Sequence, residues 1–81
     1  MIPRILEAHH LGGHVIRIRF SDGAEGDVDL ESELHGPIFE SLKDDNYFRQ
    51  FWLHHELHTL VWPNGADFAP EFLYSLVRAV A

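Results

Sequence analysis

At 81 residues, with 13 Asp plus Glu against 6 Lys plus Arg and no cysteine, the chain is one small acidic domain that excludes a disulfide framework, a thiol nucleophile and a thiolate zinc site. A hydrophobic share of 46% with two Trp and six Phe suffices for a core, and no apolar run approaches the roughly 20 residues of a membrane span. The formal net charge of −7 repels phosphate backbones, so no direct nucleic-acid binding and no membrane association are expected.

Met1-Ile2-Pro3-Arg4 leads into a strand rather than a signal-peptide apolar core, so the expectation is a mature, cytoplasmic protein. A first strand is predicted over residues 4–9, with His10-Leu11-Gly12-Gly13 as the turn after it. From His14 to Phe20 the alternation is strict: His14, Ile16, Ile18 and Phe20 face one way, Val15, Arg17 and Arg19 the other. Ser21-Asp22-Gly23 closes a hairpin whose length follows from face parity. A two-residue Asp22-Gly23 loop sets Ile18 opposite Asp27 and puts a carboxylate on the apolar face. A three-residue loop with Gly23 at positive φ pairs Phe20 with Ala24, Ile18 with Gly26 and Ile16 with Val28 inside, and Arg19 with Glu25 and Arg17 with Asp27 outside.

Beyond Leu30, Glu31-Ser32-Glu33-Leu34 reads as a single turn, and Pro37 suits the first position of a short helix with Ile38, Phe39 and Leu42 on one face. Asp44 or Asp45 caps a second turn carrying Tyr47, Phe48 and Phe51. Phe51-Trp52-Leu53 and Thr59-Leu60-Val61-Trp62 form a second hairpin around His54-His55-Glu56-Leu57-His58. Trp62-Pro63-Asn64-Gly65-Ala66-Asp67-Phe68-Ala69-Pro70-Glu71 then packs a strand end, turn chemistry and a helix start into ten residues. It is read as a rigid corner with Trp62 buried and Gly65 at positive φ, or else as a presented loop. From Pro70 to about Val80 a helix sets Phe72, Leu73, Leu76, Val77 and Val80 on an apolar side, with Asp67 as the nearest capping oxygen. The fold class is α+β: an antiparallel three-strand meander, a short helical middle, a second hairpin and a C-terminal helix packed on the sheet.

Phe20-Ser21-Asp22-Gly23, the Gly36-Pro37-Ile38-Phe39-Glu40-Ser41-Leu42-Lys43-Asp44 stretch, Phe48, and Val61-Trp62-Pro63-Asn64-Gly65-Ala66-Asp67 followed by Pro70-Glu71 resemble one bacterial family, Domain of Unknown Function 2442. The resemblance implies a compact α+β domain and carries over no catalytic role; Asp22, Gly23, Trp62, Pro63, Gly65 and Pro70 are read as structural from their own backbone and turn chemistry. Relatives join this domain to a helix-turn-helix segment or are encoded beside another small uncharacterised protein, which implies a toxin–antitoxin-like pairing. Ala69 before Pro70 departs from the capping residue expected in that pattern.

Two constellations carry candidate chemistry. Glu25, Asp27, Asp29, Glu31 and Glu33 alternate along one side of an extended segment, as a solvated face countered by Arg17 and Arg19 or as a dock for a basic partner. With Asn64 and Asp67 of the corner, Glu25, Asp27, Asp29 and Glu31 are the candidate partner-binding residues. His54, His55 and His58 have spacing that suits zinc or nickel if the backbone bends them together, and otherwise form a solvated turn; they keep a small ligand- or metal-binding protein as the alternative reading. None of Ser21, Ser32, Ser41 or Ser75 sits in a nucleophile elbow, and Gly-rich phosphate loops are absent, so no enzyme activity and no cofactor are expected. The expected partner is another small protein, with self-association left open.

Overall fold

The computed structural model describes residues 3–79. Three strands, β1 (Ile5–Gly12), β2 (Val15–Phe20) and β3 (Glu25–Asp29), form an antiparallel sheet in the order β1-β2-β3. Two short 3₁₀ helices, Glu31–Glu33 and Pro37–Lys43, lead to a single α-turn, α1 (Asp45–Phe48). Strands β4 (Trp52–Leu53) and β5 (Leu60–Val61) make the second hairpin, and α2 (Pro70–Ala79) packs back on the sheet against β3.

Parity selects the β2–β3 register: Ile16 pairs with Val28, Arg17 with Asp27, Ile18 with Gly26 and Arg19 with Glu25. Gly23, at φ +93°, donates its amide to Phe20 O, and Phe20 N reaches Ala24 O, so the loop holds three residues. Ile16, Ile18, Phe20, Val28 and Leu30 are buried on one face, where Leu73 and Val77 of α2 cover them. Val80, expected on the same helix face, lies outside the described residues.

The first hairpin departs from expectation. β1 runs through Gly12, and the turn is Gly13-His14, so His14 belongs to the turn rather than to β2. Its ring still lies on the core side, bonded through Nε2 to Leu42 O at 2.9 Å and edge-on to Phe48 at 4.7 Å. Two register shifts mark β1; in the first, Ile5 opposes Phe20 and Glu7 opposes Arg19, which leaves Leu6 as the extra, bulged residue.

Ile38 is exposed, not packed with Phe39 and Leu42. The reason is helix type. At about 120° per residue in a 3₁₀ helix, Phe39 and Leu42 eclipse one another three positions apart and Ile38 swings to the far side; the α-helical spacing assumed from the sequence grouped all three. Asp44 caps α1 as expected, its Oδ1 accepting from Asn46 N. Asp67 does not cap α2: among the described residues its carboxylate bonds none of the helix amides, and its backbone instead bridges to Val61.

Candidate functional site

The outer face of the sheet is an ion-paired layer. Arg17 Nη1 lies 2.7 Å from Asp27 Oδ1 and its Nε 3.4 Å from Glu25, while Arg19 Nη2 bonds Glu7 Oε1 at 2.8 Å. The expected Arg19–Glu25 ion pair is therefore corrected: the two face each other across the ladder, but β2 is central, and Glu7 on its other neighbour takes the guanidinium. Hydrogen bonding to Arg19 holds the Glu7 carboxyl below the usual range, and the bond to Asp27 raises Arg17.

The acidic stripe is shorter than its spacing suggests. It ends at Asp29, whose Oδ1 accepts from Glu31 N at 3.0 Å and turns the chain into the 3₁₀ helix, so Glu31 and Glu33 lie on a turn. Glu25 and Asp27 are bound to Arg17; Asp29, Glu31 and Glu33 have no cationic partner among the described residues.

The 62–66 corner is built of staples. Trp62 is 1% exposed, and its indole N–H donates to Phe48 O at 2.6 Å. Asn64 donates through Nδ2 to Ile38 O and accepts from Ala66 N through Oδ1. Trp62 N reaches Ala66 O, Gly65 N reaches Trp62 O, and Gly65 takes φ +90°. Asn64 is thus committed to the fold, whereas Pro63, Gly65 and Asp67 face solvent.

The Phe20-to-Gly23 motif serves the same end. Ser21 exchanges two bonds with the Arg4 backbone, and Asp22 accepts from Ala24 N at 2.9 Å and from the Tyr74 hydroxyl at 2.6 Å, tying the hairpin tip to α2. The Tyr74 bond is the main reason the Asp22 carboxyl lies below its usual range, and the same bond pushes the Tyr74 phenol up. A depressed carboxyl stabilises the fold above its unfolded-state pKa and loses that contribution as pH falls through the folded value. The stability of Asp22→Asn should therefore fall less steeply than the parent's as a urea-unfolding series is carried from about pH 5 to pH 2; parallel curves would show that the tie contributes nothing.

The 54–58 loop is a folded turn. His54 Nδ1 accepts from the amides of Glu56 and Leu57, both at 3.1 Å, and His58 N closes onto His54 O at 2.8 Å. Among the described residues no three His, Asp or Glu side chains, those of His54, His55 and His58 included, converge on a point that could hold a metal. The same three histidines, with Arg4, Ile5, Leu6 and Leu53, line an open groove of about 260 Å³. The spacing of the histidines pointed to this loop; Arg4 and Leu6 were missed, because their place in the groove depends on the β1 bulge and the approach of β1 to β4.

The profile of the family described as Protein of unknown function (DUF2442) matches residues 5–79. No curated protein matches the chain, and no solved structure does. Among the described residues no helix is long and apolar enough to cross a membrane.

Proposed function

The chain belongs to the DUF2442 family of proteins of unknown function, and from that premise we propose that it is a small interaction module that docks a more basic protein. The reading assigns it no catalytic step. The observation that carries it is the run Asp29, Glu31 and Glu33, whose carboxylates have no cationic partner among the described residues, in a chain with 13 acids against 6 Lys plus Arg. Clustered surface carboxylates speed encounter with a basic patch and favour one orientation, while affinity needs an apolar anchor. Ile38, 47% exposed beside the Asn64 staple, and Trp52, 48% exposed on β4, are the side chains that can supply it. The small protein encoded beside relatives of this family is the partner to try, in an antitoxin-like or regulatory pairing.

Charge reversal separates docking from folding. Asp27→Lys breaks the Arg17 pair, so Glu31→Lys with Glu33→Lys is the cleaner probe. The double variant should slow association by about tenfold at low salt and flatten the salt dependence, with melting unchanged. Association rates of parent and variant with that neighbouring protein at two salt concentrations check this; rates indifferent to both changes, or a complex only between copies of this chain, would dismiss the acidic run as the dock.

A further inference from the structure

We propose that the groove between the start of β1 and the 54–58 loop binds a small organic carboxylate with an apolar tail. Its polar lining is Arg4, His54, His55 and His58, with no acidic residue among the lining groups, in a chain where acids outnumber Lys plus Arg by 13 to 6. Three of the other cations, Arg17, Arg19 and Lys43, are held in ion pairs, whereas among the described residues no carboxylate pairs with Arg4. A guanidinium of this kind takes a carboxylate through two parallel N–H bonds.

The imidazoles add directed donors. Because His54 Nδ1 accepts two backbone amides, its neutral ring carries the proton on Nε2, which is left as a donor. His58 is the one described non-glycine residue with positive φ, at +56°, a conformation that glycine would meet without strain. Keeping an imidazole there costs backbone energy, and such outliers gather at ligand sites.

The apolar half is Ile5, Leu6 and Leu53. Leu6 reaches the groove as the bulged residue of an edge strand, a device that re-aims one side chain, and it stays 44% exposed. At about 260 Å³ the groove falls just short of the usual range for drug-sized ligands, so its occupant is small. The overall charge of −7 opposes an anion at long range, but at physiological salt that field decays over about 8 Å and contacts within the groove decide.

Hexanoate is the probe, added to the isolated protein at neutral pH and followed by backbone amide and imidazole NMR. Saturable shifts are expected at Leu6, Leu53, His54, His55 and His58, larger than those caused by acetate, inorganic phosphate or hexan-1-ol at equal concentration. Arg4→Gln keeps the backbone bonds to Ser21 and should weaken hexanoate about tenfold. His58→Gly should weaken it too while melting no lower than the parent. Shifts scattered over the surface, an equal response to acetate, phosphate or hexan-1-ol, or undiminished binding by Arg4→Gln would each overturn the proposal. None of these readouts involves a protein partner, so the groove and the acidic dock stand or fall separately.

Discussion

Trp62→Ala is expected to destabilise the protein by about 3–5 kcal/mol, the range for a large aromatic removed from a core. Trp62 is 1% exposed and is ringed by Phe48 at 5.6 Å, Phe51 at 5.8 Å and Phe68 at 5.8 Å. The truncation opens a cavity among these rings and removes the donor of the 2.6 Å bond to Phe48 O, leaving an acceptor in the interior. Small domains have only about 5–15 kcal/mol in total, with 81 residues toward the lower end, so this single change removes a large part of it. Urea unfolding of parent, Trp62→Ala and Trp62→Phe checks both contributions. The phenylalanine variant keeps most of the packing and loses the N–H, so it should fall between the other two by about 1–3 kcal/mol. A Trp62→Ala protein that unfolds like the parent yet loses a partner would make the corner a binding surface instead.

Phe48→Ala should cost a similar 3–5 kcal/mol, for a different reason. α1 has only four residues and cannot be stable alone, since a helical turn fixes its dihedrals before hydrogen bonds accumulate. Phe48 is its fully buried residue and touches three parts of the chain: the His14 turn at 4.7 Å, Phe51 at 6.5 Å and Trp62 at 5.6 Å between ring centres. Removing it frees α1 and withdraws support from the His14 turn and the corner together. The effect should therefore be coupled to Trp62: in a double-mutant cycle the combined loss falls short of the sum by about 0.5–3 kcal/mol. Additive losses would show that the two rings stabilise separate parts of the core.

The staples at Asp22 and Asn64 show how far local sequence carries. Asp-Gly and Asn-Gly announce turns, because a short polar side chain bonds the backbone two residues on and glycine accepts positive φ; Asp22 bonds Ala24 N and Asn64 bonds Ala66 N. Their second partners, Tyr74 and Ile38 O, lie 52 and 26 residues away, and no local rule names them. The groove divides likewise: the histidine loop is one stretch of sequence, but Arg4 and Leu6, which line the groove with it, lie about 50 residues earlier, at and just before the start of β1.

By itself the sequence determined the β2–β3 register, the α+β class and the amphipathic helix α2, because side-chain periods of 2 and 3.6 allow one placement that keeps Asp27 and Arg17 off the apolar face. Only the tertiary structure decided which acid Arg19 holds and that Ile38 points outward. Each of these depends on something period and parity do not encode: the neighbour on the far side of a central strand, and the choice between 3.0 and 3.6 residues per turn.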